Sequence, residues 1–314
     1  VFTITVSDGT GALVTNTLTV TLSGANDAPV AAVAVDTATE DGAVITGSVC
    51  SSDVDVLNTT ASYALNAPVA GLTIGADGSY SFNPGNAAYQ YLAAGETLDV
   101  VAAFTVTDDQ GATSSNTLTI TVTGTNDAPV AAVDVGTAME RSGLENAIAG
   151  IDATGNMLSN DTDVDAVDTQ VVVNVQAVTG SGSTTVVPAD STGEAGYVAV
   201  AGLYGTLRIG ADGSYRYLVN ESDPAVQALR TTDDTLQDVF SYAMQDGQGV
   251  SASSTLTITV EGANDAPTLV RVSNLSINEL TGANPNTGGV VNIGTLSTDD
   301  PDDGEAFVYD IIGG

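Results

Sequence analysis

Three stretches of the chain alternate threonine with aliphatic residues at a period of two. They are Thr17-Leu18-Thr19-Val20-Thr21-Leu22, Thr117-Leu118-Thr119-Ile120-Thr121-Val122 and Thr255-Leu256-Thr257-Ile258-Thr259-Val260. That period sends successive side chains to opposite faces of a β-strand, so Leu118, Ile120 and Val122 are expected to face a core and the threonines water. A second strand-like stretch precedes each of them, at Ile4 to Asp8, Phe104 to Asp108 and Tyr242 to Asp246. A glycine recurs in the intervening turn, at Gly11, Gly111 and Gly249. Further inside, Ile74-Gly75-Ala76-Asp77-Gly78-Ser79-Tyr80 returns as Ile209-Gly210-Ala211-Asp212-Gly213-Ser214-Tyr215. Asp-Gly between two alternating runs is a hairpin signal. No long amphipathic helix is visible; Ala225 to Leu229 suits one short helical turn.

These patterns belong to a repeat, and a repeat has to be read before single elements. Asn-Asp-Ala-Pro occurs at Asn26 to Pro29, Asn126 to Pro129 and Asn264 to Pro267, at spacings of 100 and 138 residues. The chain then divides into residues 1–24, the last strands of one module; 25–124, a complete module; 125–262, a longer one; and 263–314, the first part of a fourth. The extra length of the third segment falls near 166–211, with Val171 to Val175, a Gly/Ser-rich run from Thr179 to Ser183, and Val198 to Val200. It reads as an added hairpin or an elaborated sheet edge. Modules of about 100 residues with many short strands and polar turns predict an all-β fold of tandem immunoglobulin-like sandwiches.

Charge changes the picture next. The formal net charge is −34, from 39 acidic and 5 basic residues, and all five are Arg. No basic residue occurs before Arg141. Such a chain repels nucleic acid and anionic membrane surfaces. Acidity of this order often means disorder, but 43% of the residues are apolar, enough for packed cores. Bound cations are the expected way to tolerate the charge. There is no His, and Cys50 is the one Cys, so an intrachain disulfide is excluded and Cys50 is expected to be a small buried residue. No apolar run approaches the ~18 residues of a membrane span. The chain opens on Val1-Phe2-Thr3, which reads as mid-strand, and is expected to be a window of a longer polypeptide. Arg208 and Arg216 flank the second Asp-Gly turn and are expected to pair with surface acids. The sequons at Asn58-Thr59-Thr60 and Asn274-Leu275-Ser276 are of a kind common by chance.

The carboxylates keep step with the repeat. Asp8, Asp108 and Asp246 each lie 19 residues before the linker aspartates Asp27, Asp127 and Asp265. Glu40 and Glu140 lie 13 residues after Asp27 and Asp127, and Glu279 lies 14 after Asp265. An Asp-x-Asp pair follows: Asp53 and Asp55, Asp163 and Asp165, Asp300 and Asp302. Core packing accounts for recurring apolar residues but not for recurring acids beside an Asn-Asp pair. Calcium takes six to eight hard oxygen ligands at about 2.3–2.6 Å, and Asp, Glu and Asn supply them. The candidate ligands are therefore Asn26, Asp27, Glu40, Asp53, Asp55, Asp108, Asn126, Asp127, Glu140, Asp163, Asp165, Asp246, Asn264, Asp265, Asp300 and Asp302. Zinc and copper do not fit a chain without His and with a single thiol. Asp77 and Asp212 are assigned to hairpin turns instead.

The phrases Gly-Thr/Ala-Asn-Asp-Ala-Pro, Thr-Glu-Asp-Gly, Asp-Gly-Ser-Tyr-Ser-Phe and Thr-Asp-Asp-Gln-Gly-Ala-Thr resemble the VCBS repeats of giant bacterial RTX-type adhesins. The last piece, with Asn278-Glu279 and Thr298 to Gly304, resembles the start of a bacterial cadherin-like repeat. The glycine-rich nonapeptide calcium repeat of RTX proteins is absent from this sequence. The resemblance implies cadherin-like sandwiches with calcium at the joints, secretion to the bacterial cell surface, and a stalk role in adhesion or biofilm. It also implies which module serves which joint. The joint between the complete modules would gather Glu40, Asn126, Asp127, Asp163, Asp165 and Asp246 around more than one calcium ion. Calcium, neighbouring modules of the same chain and homotypic or surface contacts are the expected partners. The alternative is a structural subunit of an extracellular filament, sheath or surface layer. An enzyme is not expected: the remaining acids recur in every module at linker spacing, which suits structure better than one active site.

Overall fold

The computed structural model describes residues 1–55, 61–165, 168–179, 182–273, 295–302, 304 and 306–310. The chain forms two compact units, Val1–Thr125 and Asn126–Gly314. Both sequons, the Asn278-Glu279 pair and part of the Gly/Ser-rich run lie outside the described residues.

The first unit begins with a hairpin of β1 (Phe2–Ser7) and β2 (Leu13–Leu18), every side chain of which is exposed. The alternation through Leu22 overstates the second strand, because the ladder ends where Phe2 meets Leu18. After it come β3 (Val30–Ala31), β4 (Ala34–Thr39), β5 (Ile45–Ser48), β6 (Ser51–Ser52), β7 (Ser62–Leu65), β8 (Leu72–Ile74), β9 (Ser79–Phe82), β10 (Thr97–Thr107) and β11 (Thr113–Thr123). One sheet has the order β4-β11-β10-β7 and the other β5-β9-β8, with β3 and β6 as a short separate pair. Strand β4 runs parallel to β11, whereas β10 and β11 form an eleven-residue antiparallel hairpin.

The alternation is realised as read. Leu118, Ile120 and Val122 are fully buried, and so are Phe104 and Val106 on the partner strand. With Phe82, Tyr89 and Leu92 they form one core. Each fully buried side chain of this size contributes about 1.5–3 kcal/mol, which is what binds the two sheets. The Asp77-Gly78 hairpin closes with Gly78 N–H donating to the Gly75 carbonyl, and only Gly78 has positive φ (84°). The turn is therefore a tight turn followed by a left-handed glycine, not a two-residue turn with both centres left-handed. Cys50 is exposed, contrary to expectation. Val49, in the link between β5 and β6, takes the inward position at 2% exposure, and its neighbour Cys50 is left outside.

The second unit repeats the plan with additions. Its strands are β12 (Asp134–Met139), β13 (Ala153–Asn156), β14 (Val171–Ala177), β15 (Thr185–Val186), β16 (Val198–Ala201), β17 (Gly205–Ile209), β18 (Ser214–Val219), β19 (Thr235–Gln245) and β20 (Ser251–Glu261). The sheets are β12-β20-β19-β14-β15 and β13-β18-β17-β16. Compared with the first unit, each sheet gains one edge strand, β15 and β16. A short helix, α1 (Pro224–Gln227), is capped by Asp223, whose side chain accepts from Ala225 N–H. Strands β21 (Leu269–Val272) and β22 (Leu296–Asp299) pair beyond the sandwich. Among the described residues no helix is long and apolar enough to cross a membrane.

One buried acid ties the two sheets of this unit together. Asp238 on β19 is wholly buried. Its carboxylate accepts from Tyr217 O–H at 2.6 Å, Leu203 N–H at 2.8 Å, Tyr204 N–H at 3.0 Å and Thr179 O–H at 3.0 Å. The turn after β16 closes on it so tightly that a Cβ at Gly202 would stand 2.2 Å from its oxygen. Arg216 pairs with Asp152 at 2.6 Å and with Glu194 at 3.3 Å, while Arg208 donates to the Glu194 carbonyl.

Candidate metal centre

The loops at one end of the first unit bring Asn26, Asp27, Asp53, Asp55 and Asp108 together. The Asn26 amide donates to Asp108 at 2.8 Å, Asp27 N–H donates to Asp55 at 2.7 Å, and Asp55 N–H donates to Asp53 at 2.9 Å. Asp108 also accepts the N–H groups of Gln110 and Ala112 in the β10–β11 turn. The Asn26 bond, with those backbone donors, holds its carboxyl below the usual range.

The second unit builds the same network bond for bond. Asn126 donates to Asp246 at 2.8 Å, Asp127 N–H donates to Asp165 at 3.0 Å, and Asp165 N–H donates to Asp163 at 3.1 Å. Asp246 accepts from Gln248 and Val250 N–H in the β19–β20 turn. Burial works to raise the Asp246 carboxyl, and the donors from Asn126 and the turn outweigh it. Asp165 moves the other way: burial raises it, with the charges of Asp163, Asp127 and Asp168 adding to the effect. Carboxylate oxygens of Asp163, Asp168 and Asp246 lie within 4.8 Å of one another. Three buried oxygens here, Asn126 Oδ1, Asp163 Oδ2 and Asp165 Oδ1, have no hydrogen-bond partner.

A third gathering, also within the second unit, joins the far end of the sandwich to the segment beyond it. Glu140, 1% exposed, follows β12; it accepts from Ala263 N–H at 3.0 Å and from the Gln227 amide at 3.5 Å. Gly143 N–H donates to the Asn264 carbonyl. Asp265 N–H donates to Asp302 at 2.8 Å, and Asp302 N–H to Asp300 at 3.0 Å. Glu221, after β18, accepts from Arg141 N–H at 3.3 Å. Burial pushes the Glu140 carboxyl up to about 8, helped by the nearby charges of Asp265, Glu221 and Asp302. Asp265 rises to about 6 through burial and the charges of Asp302, Asp300 and Glu221. Both Asp265 carboxylate oxygens and Asp300 Oδ2 are buried without a hydrogen-bond partner.

Buried, partnerless acceptors beside like charges are costly as they stand. Each gathering offers oxygen donors only, from carboxylates, an amide and backbone carbonyls. That donor set fits a hard divalent cation.

Of the six residues read as one joint, Glu40 belongs to the first unit and the other five to the second. Glu40 has the setting of Glu140: 1% exposed, it accepts from Thr125 N–H at 3.0 Å and from the Gln90 amide at 3.3 Å. Asp77 and Asp212 bond Ser79 and Ser214 in their own hairpin turns. Four participants escaped the sequence reading: Gln90, Gln227, Asp168 and Glu221. The glutamines recur in Gln90-Tyr91-Leu92 and Gln227-Ala228-Leu229. Asp168 follows Asp165 by three residues, as Asn58 follows Asp55 and Glu305 follows Asp302. Asn58 and Glu305 lie outside the described residues. Glu221 has no such signal, since the first module has no acid between Phe82 and Gln90.

Two-sheet sandwiches with matched carboxylate networks at their ends define a class of modular repeat protein. Residues 26–124 and 126–262 each match the bacterial cadherin-like domain, and the chain belongs to that family. Among solved structures it is similar to mouse protocadherin-24 EC1-3, at 15% identity over 83% of this chain and 78% of that one, with a TM-score of 0.43. It is similar to human CDH23 EC21-23 at 14% identity over 88% and 81% of the two chains, with a TM-score of 0.42. Against protocadherin gamma B7 extracellular cadherin domains 1-4 the values are 13%, 88% and 0.42, and the chain spans 60% of that relative's length. The assignment rests on the family match and not on these likenesses. A comparison with curated proteins gives no match.

Proposed function

We propose that this chain is an extension segment of a secreted bacterial surface adhesin of the RTX type, built from VCBS-like and cadherin-like modules and stiffened by calcium. Its modules run over 25–124, 125–262 and onward from 263. It holds a distal binding region away from the cell, in attachment or biofilm, and performs no chemistry of its own. Family membership supports the coarse part of this reading, since cadherin-like domains are typically extracellular adhesion or structural modules. The observation that carries the rest is the set of buried, partnerless carboxylate oxygens of Asp163, Asp165, Asp265 and Asp300, of which Asp163 and Asp300 hold the same place in their Asp-x-Asp pairs. Asp and Asn of each linker, the Asp-x-Asp pair and the late Asp hold calcium from one side of a joint; the buried Glu of the preceding module completes it.

The direct test is to count bound calcium by calorimetric titration of the chain, with solution scattering on the same samples. More than one ion per chain and a longer, less flexible particle with calcium are expected. No binding at millimolar calcium, or scattering unchanged by chelation, would overturn the proposal.

A further inference from the structure

The outer face of the β4-β11-β10 sheet carries a row that the core does not use. Val35 on β4 stands beside Thr119 on β11, and Thr119 beside Val101 on β10. All three point away from the core, whose inward positions on these strands are filled by residues such as Leu118, Ile120 and Ala102. Val35 is 78% exposed and Val101 57%. The second unit repeats the row as Val135, Thr257 and Val239, with Val135 81% exposed. No packing requirement places valine at Val35 or Val135, yet it stands there in both units. Asp99 is the single charged side chain among the outward positions of β4, β10 and β11. The free edge of β4 is blunted, because Asp36 takes the Thr37 N–H with its own carboxylate.

We propose that this face is a self-association surface whose occupant is a second copy of the chain, laid face to face. Charge argues for that occupant. A copy carrying −34 is repelled wherever acids cluster, in the end loops and turns. Two such faces approach with Thr and Val opposed and few carboxylates between them. Area sets the strength. Three strands ~4.8 Å apart, up to eleven residues long at ~3.3 Å each, present a patch of roughly 500 Å². Two copies would bury about 1,000 Å² per pair of units, the lower bound of a specific interface. A single pair is thus weak. The inference does not depend on calcium ligation.

Sedimentation velocity of the full chain in millimolar calcium, across concentration and salt, tests it. A dimer that grows with concentration and is favoured by added salt, which screens the repulsion, is expected. The double variant Val35→Asp/Val101→Asp should weaken dimerisation at least tenfold with an unchanged melting curve, and Asp77→Ala should leave dimerisation as it was. A wild-type chain that stays monomeric at all concentrations overturns the proposal and leaves the face to a different partner. A doubly charged variant that dimerises like the wild type also overturns it.

Discussion

Glu140 offers a test with opposite signs in two media. Its carboxyl is raised from 4.5 to about 8 by burial and by neighbouring acids. In chelator, the unfolded chain ionises this group near pH 4.5 and the folded chain near 8. Stability is therefore full below 4.5, falls as pH rises through that window, and levels off above it. The gap corresponds to about 5 kcal/mol. For a unit of this size, with ~2–4 °C per kcal/mol, that amounts to roughly 10–20 °C in Tm. Asp265, raised to about 6 from 3.8, acts in the same direction in the lower part of the range. A bound cation stabilises the ionised form, so in calcium the fall should vanish and binding at pH 7 should release protons. Glu140→Gln should then stabilise the chain in chelator at pH 8 and weaken calcium binding in the same buffer. The assay is a series of thermal melts from pH 5 to 9, with chelator and with millimolar calcium, for both proteins. A wild-type Tm that does not fall between pH 5 and 8 in chelator would refute the reasoning. So would a substitution that shifts Tm in the same direction in both media.

Further outcomes follow from the same geometry. Calcium at one hundred times its dissociation constant should stabilise each liganded site by about 2.7 kcal/mol, and magnesium by less, because magnesium demands a small octahedral shell; identical melting curves with the two ions would count against all-oxygen sites of this size. Asp127→Ala should lower calcium affinity in calorimetry, and Asp77→Ala should leave it unchanged, since Asp77 serves only its own turn. Equal losses in both variants would dissolve the distinction between turn and ligand acids. Asp238→Ala strips four donors of their shared acceptor and should cost about 1–3 kcal/mol for each donor left unsatisfied, with or without calcium; a cost that disappears in calcium would mean that this acid serves the joint.

Much of this was legible in the sequence, for a reason tied to periodicity. A strand with one wet face must alternate, so Leu118, Ile120 and Val122 could be assigned to the core from spacing alone. The linker acids were legible because a hydrogen-bonded acidic network that recurs in each module recurs with its residues at fixed distances. What failed were features that owe nothing to period. Thr19 to Leu22 alternate like the rest, but a strand needs a partner, and the ladder ends at Leu18. Cys50 was judged by residue type, whereas in the link between β5 and β6 it is Val49 that takes the core position. Glu221 comes from a loop whose counterpart in the first module carries no acid, so no recurrence marks it.

The parallel pairing of the first and last long strands has a mechanical meaning. Strands β4 and β11 run side by side over six residue pairs, and β12 and β20 do the same. The chain enters at the start of one strand and leaves from the end of the other. Tension on the polypeptide therefore slides the two strands along each other and loads all their hydrogen bonds at once. A hairpin pulled from its open end would instead yield one bond at a time. Each unit is wired like a lap joint and not like a zipper, and a force–extension trace should show it giving way in a single event.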